Sequence, residues 1–410
     1  MSHLMPLNET HRLPAWRQPE ALLYLMAAAM PLSFATWSAL LNNFVIEVAS
    51  FTGREIGWLH TVREIPGLLA VAVIAILLAV REQVLALLML ALLGAATMFT
   101  GWFTSFSGLL VMTLLSSIGF HYFETVNQSL QLQWIDKARA PIVLGRIVAV
   151  GAGASLAAYG AIVALWDSLG LDYNTVYMAS GGLTIAIVLF AALAYPQFQS
   201  PHVQHRHLVL RRRYWLYYAL QFMAGARRQI FVVFAGFMMV EKFGMRVSEM
   251  TLLLLCNYLI NMAVAPMMGR ALGKYGERNV MGFEYIGLTL VFLAYGGLYW
   301  FGWGLVVAGA LYILDQLFFA LSFSLKTYFQ KIADPKDIAP TAAVAFTINH
   351  IAAVFLPAAL GYLWATSPDY VFMLGAGMAV VAFLLVCLIP RHPEPGLETV
   401  FSRGLPVAAE

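Results

Sequence analysis

Long apolar runs, each interrupted by only a few polar residues, alternate with short charged connections along almost the whole chain. Twelve such runs can be placed, at 21–49, 55–80, 83–101, 107–134, 140–166, 174–194, 214–240, 248–272, 279–300, 303–330, 339–365 and 370–390. A helix needs about 20 mostly apolar residues to cross a bilayer, and each run is of that order. The runs are continuous and lack the apolar–polar alternation of barrel strands, so the pattern predicts helices. The expected fold is an all-α integral membrane protein of 12 transmembrane helices.

Composition supports this. Hydrophobic residues make up 61% of the 410 and charged residues 11%, against about a quarter charged in a soluble domain. That is too few to keep a water-facing surface wet, so lipid is the solvent and little room remains for a soluble domain. Cys256 and Cys387 both fall inside apolar runs, where they read as small packing residues rather than a disulfide framework. The polar stretch from Met1 to Glu20 has no short apolar region with a cleavage site, so the first run is expected to be a retained helix.

Charge orients the chain. Sixteen of the 24 lysines and arginines fall in one set of alternate connections and tails, while only Arg54, Lys242 and Arg246 fall in the other. By the positive-inside bias, both termini lie in the cytoplasm of a bacterial-type inner membrane. The longest connection carries Pro196, Pro201 and Arg211–Arg213. It separates a bundle at 1–195 from one at 214–391, with a linker at 196–213 and a cytoplasmic tail at 392–410.

The halves resemble one another. Phe51-Thr-Gly-Arg54 has a counterpart in Phe243-Gly-Met-Arg246. Ser129 to Trp166 parallels Ser324 to Trp364, each with a short charged loop and a proline (Pro141, Pro340). Two six-helix pseudo-repeats of this kind are what transporter folds display.

The eighth run ends in Gly269-Arg-Ala-Leu-Gly273-Lys274-Tyr-Gly276-Glu-Arg278. This resembles the cytoplasmic loop signature of the major facilitator superfamily, with Gly269, Gly273, Lys274, Gly276 and Arg278 at matching positions. Glycines there permit a tight turn and close helix approach, and the two cations can hold helix-end carbonyls or a carboxylate. The five residues are expected to act in gating. The equivalent loop between runs two and three is only Arg81-Glu82-Gln83 and lacks the pattern. Run five has Gly145, Gly151, Gly153 and Gly160 without the proline of the antiporter signature, so these read as small-residue packing positions.

The resemblance implies that runs one, four, seven and ten line a central pathway. Ionisable groups inside a bilayer are costly and normally face a cavity or a partner. Run four carries His121, Glu124, Gln128 and Gln131 on one helical face. His121 and Glu124 are expected to handle protons, the alternative being a polar face that only hydrates the cavity. Arg227 and Arg228 sit near mid-depth in run seven. A guanidinium pairs well with carboxylate or phosphate. Adjacent helical positions point about 100° apart, so one of the two is expected to bind an anionic substrate and the other to pair or pack. The alternative is a salt bridge to Asp315 or Glu124. Asn43, Gln128, Gln131 and Asp315 complete the expected substrate site, with Asp315, Ser322 and Lys326 along one face of run ten. Arg63 and Glu64 read as structural, paired with Glu55 or Arg54.

No metalloprotease, nucleophile-elbow or phosphate-loop motif occurs, so neither an enzyme nor a cofactor nor a metal is expected. The expected partners are a small molecule, protons and the bilayer, without nucleic acid, and the expected state is a monomer. The function expected is alternating-access secondary transport of a small organic anion with proton coupling. Proton-driven export of amphiphilic drugs or metabolites is the other reading, and a membrane-embedded enzyme a distant third.

Overall fold

The computed structural model describes residues 5–70, 72–136, 139–199, 210–334 and 337–402. Most of the linker, residues 403–410 of the tail, and Lys137, Arg206, Lys336 and Arg403 of the orienting charges lie outside the described residues. The α-helices are α1 (Pro19–Glu47), α2 (Gly53–Leu68), α3 (Ala72–Leu77), α4 (Glu82–Thr100), α5 (Phe106–Trp134), α6 (Ala140–Leu165), α7 (Tyr173–Ala194), α8 (Trp215–Gln229), α9 (Gly236–Glu241), α10 (Val247–Trp300), α11 (Leu305–Ala320), α12 (Phe323–Ile332), α13 (Ile338–Trp364) and α14 (Pro368–Val386).

Among the described residues, 10 helical segments are long and apolar enough to cross a membrane. One of them, α10, is 54 residues long and holds two of the predicted spans. Gly276 divides it at φ 76° and ψ 166°, a conformation open to glycine and strained for residues with a Cβ. The predicted span at 55–80 is shared between α2 and α3, which break after Pro66. All twelve predicted spans are thus occupied by helix, and the architecture agrees with a twelve-helix count.

Two further spans are less regular than predicted. Between α8 and α9 the chain widens into a π-helix over Ile230–Ala235. The run at 303–330 breaks between α11 and α12. Asp315, Ser322 and Lys326 therefore do not share one continuous face: Asp315 is buried in α11 and Lys326 is exposed in α12.

The described chain forms two compact units. The first runs to Phe51, continues from Val62 to the linker, and adds Arg246–Leu255. In it α1 packs on α6 and α7, and α4 packs on α5 and α7, around Leu22, Leu90, Leu93, Phe123 and Leu130. Small residues let the helices close up. A Cβ on Gly119 of α5 would lie 2.6 Å from the Leu93 nitrogen and 2.7 Å from the Met89 oxygen of α4. The predicted glycine packing on α6 is met only at Gly151, against the Ala27 carbonyl, since Gly145, Gly153 and Gly160 face open space. Buried hydroxyls add polar ties, with Ser33 and Thr184 2.8 Å apart. The Arg17 guanidinium donates to the Ala194 carbonyl at 2.7 Å, satisfying an orphan acceptor at the end of α7.

The second unit holds Thr52–Thr61, the residues from the linker to Met245, and Cys256 onward. Here α8 packs on α13 and α14. The first turns of α2 lie on α13, where a Cβ at Gly57 would collide with the Pro357 carbonyl and one at Gly361 with the Gly53 carbonyl. Pro357 breaks the hydrogen-bond ladder of α13. The Thr61 hydroxyl enters it, donating to the Val354 carbonyl at 2.8 Å and accepting from the Ala358 amide at 3.1 Å. Trp364 is 2% exposed, stacks on Phe234 at 5.0 Å and donates to Glu241 at 2.8 Å. At one end of this unit Arg211 donates to Asp337 at 3.0 Å, Arg213 to Asp334 at 2.6 Å, and Tyr328 to the Glu398 carbonyl at 2.6 Å.

Candidate functional site

A polar cleft opens in the first unit between α1, α2 and α5. It is lined by Phe34, Trp37, Arg63, Thr113, Ser116, Ser117, Phe120 and His121. The helical period assembles it. Phe34 and Trp37 are three residues apart on α1. On α5 the positions 113, 116, 117, 120 and 121 recur at three and four, so they share a face. Ser105 fixes the start of that helix by accepting from the Gly108 amide at 3.2 Å, an N-cap interaction.

The cleft has an aromatic wall and a polar wall. Phe34 stacks on Phe120 with centroids 4.5 Å apart, and Trp37 lies 6.4 Å from Phe34 at 27°. The Arg63 guanidinium sits over Trp37 at 5.8 Å, within cation–π range. Arg63 also pairs with the buried carboxylate of Glu64, and the Ser117 hydroxyl donates to the Arg63 carbonyl. His121 meets Phe120 edge-on at 5.0 Å, and a ring nitrogen of His121 lies within 4.8 Å of a Glu64 carboxylate oxygen. Stacking faces, a cation, hydroxyls and an imidazole thus line one cleft, with the buried Glu64 carboxylate held by Arg63 beside it. In this conformation the space between the lining groups is about the size of one water molecule, so a ring-bearing solute would need the cleft to widen before these groups could take its ring and its acceptors.

The predicted polar face of run four exists on α5. His121 and Gln131 are half-buried, and Glu124 and Gln128 are exposed. Asn43 is buried and donates to Glu47 at 3.0 Å, while Glu47 accepts from Tyr173 at 2.6 Å. Asn43 thus belongs to a network that ties α1 to α7. Arg63 pairs with its neighbour Glu64, whereas the Glu55 carboxylate accepts from the Thr52 amide at 2.9 Å.

In the second unit Arg227 and Asp315 are fully buried and Arg228 is half-buried. Arg227 approaches Glu284 at 3.7 Å and lies over the Phe319 ring at 5.2 Å. At the loop signature Gly276 makes the turn. Gly269 and Gly273 face open space, so the close helix approach expected of them is not found. Lys274 lies over Tyr275 at 5.1 Å, and Arg278 is half-buried. The carboxylate that crosses between helices there is Glu277, buried and held by Lys331 at 2.8 Å.

Sequence reasoning passed over Glu277, Glu284, Phe34 and Trp37. Glu284 carried a readable signal, a carboxylate inside an apolar run. The aromatic residues carried none, because phenylalanine and tryptophan are equally at home against lipid.

Comparison with known proteins follows from this geometry. A sequence model of the Major Facilitator Superfamily matches residues 22–357. By sequence, no curated protein matches the chain. Among solved structures, the nucleoside transporter NupG superposes with a TM-score of 0.70 at 14% identity, covering 90% of this chain and 98% of that one. A bacterial homolog of the human lysosomal transporter Spinster, in an inward-facing and occupied conformation, gives 0.68 at 13% identity, covering 90% and 95%. The D-xylose–proton symporter gives 0.69 at 10% identity, covering 90% and 96%.

Proposed function

We propose that this chain, which belongs to the major facilitator superfamily, moves a small organic anion with a flat ring across the membrane, coupled to protons. Its family and its fold neighbours are transporters rather than enzymes. The observation that carries the substrate class is the cleft in which the Phe34–Phe120 stack and Trp37 face Arg63, His121 and three hydroxyls.

In this reading the ring of the solute stacks on Phe120 or Phe34. Its carboxylate or phosphate takes the Arg63 guanidinium in competition with Glu64, and Thr113, Ser116 and Ser117 take further polar groups. As the anion draws Arg63 away, Glu64 loses its counter-charge and accepts a proton, with His121 beside it as the carrier. One solute and one proton then move together. The chain works as a monomer in an inner membrane, with the basic linker and both tails in the cytoplasm. The bundles at 1–195 and 214–391 rock to expose the site to each side in turn, and the loop signature closes the inner side.

The test is uptake into proteoliposomes under an imposed pH gradient. Aromatic carboxylates and nucleoside monophosphates are offered beside neutral nucleosides and cationic dyes. The expected result is gradient-driven uptake of a ring-bearing anion, lost in Arg63→Gln and Phe120→Ala and uncoupled from the gradient in Glu64→Gln. Neutral nucleosides moving as well in Arg63→Gln as in the parent would remove the charge requirement. Movement of dyes alone would make the chain an exporter of amphiphiles.

A further inference from the structure

We infer that Arg227, Glu284 and Asp315 form a proton-binding site inside the second unit, separate from the solute cleft. Arg227 is 1% exposed, Glu284 1% and Asp315 0%. Arg227 comes from α8, Glu284 from α10 and Asp315 from α11. The approach of the Arg227 Nη2 to the Glu284 Oε1, at 3.7 Å, is an ion pair too long for a hydrogen bond. All three guanidinium nitrogens and all four carboxylate oxygens are buried without a hydrogen-bond partner. Asp315 lies within electrostatic reach of Arg227 and of Glu284.

Two carboxylates therefore share one cation. A net charge held away from water costs several kcal/mol or more unless it is paired, and an apolar bilayer makes that cost heavier. One added positive charge neutralises the cluster. As a proton it does more, since a protonated carboxyl becomes an O–H donor and can bond the remaining carboxylate.

The surroundings leave a proton as the ligand that fits. Exposures of 0–1% leave no space beside the cluster for an organic anion in this conformation. A sodium ion placed there would be repelled by the guanidinium beside Glu284. Among the described residues, titratable groups beside the cluster include the phenol of Tyr285, which feels Glu284 and Arg227, and that of Tyr295, which feels Asp315 and in turn Tyr312, with the Phe319 ring near Arg227. The π-helix at Ile230–Ala235 starts three residues after Arg227, and such irregularities recur at functional sites. It gives α8 a place where its winding can change when the cluster gains or loses its proton. The role of that proton in coupling rests on the transport reading above, whereas its presence does not.

The experiment is infrared difference spectroscopy of the purified full-length chain in lipid at neutral pH, following the carbonyl stretch of protonated carboxyl groups and its shift in D2O. Glu284→Gln and Asp315→Asn each leave one carboxylate balanced by Arg227, so each loses one carboxylic-acid band relative to the parent. Arg227→Gln leaves two carboxylates without a cation, and the band assigned by the other two variants doubles. Glu64→Gln leaves that band in place. Parent bands that persist in both carboxamide variants overturn the inference, as does a band that appears only when sodium is replaced by choline. If Arg227→Gln fails to fold, the two carboxamide variants decide alone. A failed anion-uptake assay with the band intact would reject the transport reading and leave this site standing.

Discussion

Gly119 is where the packing of the first unit meets its cleft. It sits on α5 between Ser116–Ser117 and Phe120–His121, with its own face turned to the backbone of α4. A methyl group at this position would lie 2.6 Å from the Leu93 nitrogen, and ordinary contact begins at 3.4 Å. The helices must then part by the difference, about 0.8 Å, because the obstacle is backbone and no rotamer can remove it. Overpacking of this kind costs about 1–3 kcal/mol. A rigid obstacle belongs in the upper part of that range, and alanine returns up to about 1 kcal/mol of helix propensity over glycine. Gly119→Ala is therefore expected to lose about 1–2 kcal/mol. Gly153→Ala on α6, where nothing lies within 4 Å, keeps only the propensity gain. Thermal unfolding in detergent, followed by tryptophan fluorescence, compares the two. At roughly 2–4 °C per kcal/mol, Gly119→Ala melts several degrees below Gly153→Ala. It also binds solute more weakly, because Phe120 moves with the helix. If Gly119→Ala melts together with Gly153→Ala, the α4–α5 contact is not close-packed and the reasoning fails.

Thr61→Val removes the hydroxyl that bridges the broken ladder of α13, leaving the Val354 carbonyl and Ala358 amide unpaired. It is expected to lower stability by about 1–3 kcal/mol, with Thr61→Ser close to the parent in the same melt. Trp364→Phe gives up the bond to Glu241 and opens space beside Phe234, for a loss of about 2 kcal/mol. At Asp337 burial alone would raise the carboxyl. The hydrogen bonds from Arg211 and Tyr214 and the charges of Arg211 and Arg213 outweigh it and hold the group below the usual carboxylate range. A carboxyl lowered by folding stabilises above its unfolded value, about pH 4, and loses that contribution as pH falls through its folded value. The melting gap between the parent and Asp337→Asn is therefore full at neutral pH and closes in acid.

Helix positions were legible because the bilayer demands an apolar run for each crossing, and no other solvent makes that demand. The interruptions were less so. Gly276 could be read as a turn, since glycine in a charged loop has few other uses. The break at Leu321–Ser322 and the π-helix at Ile230–Ala235 are made by tertiary packing and leave no mark in apolar sequence. On α5 the spacing of His121, Glu124, Gln128 and Gln131 placed the polar face. It could not show that Glu64 would come within 4.8 Å of His121, because that approach depends on how α2 meets α5. For the same reason the pairings of Arg63 with Glu64 and of Arg227 with Glu284 could not be read from spacing.

The difference between those two arginines is one of exposure, and it assigns them different chemistry. Arg63 borders a cleft and has a carboxylate for a neighbour. An incoming anion can compete for it, and what it releases, Glu64, is a group that can take up charge in turn. Arg227 is closed in with two carboxylates, and a proton is the ligand inferred for that cluster. Substituting the first should change which solutes move while leaving the fold standing. Substituting the second leaves buried carboxylates without their cation, a loss of about 3–5 kcal/mol where no proton compensates. A chain that needs only to bind its solute has use for the first arrangement alone. Under the proposed proton coupling the second one has a purpose as well, since two carboxylates sharing one cation can hold the proton that accompanies the solute.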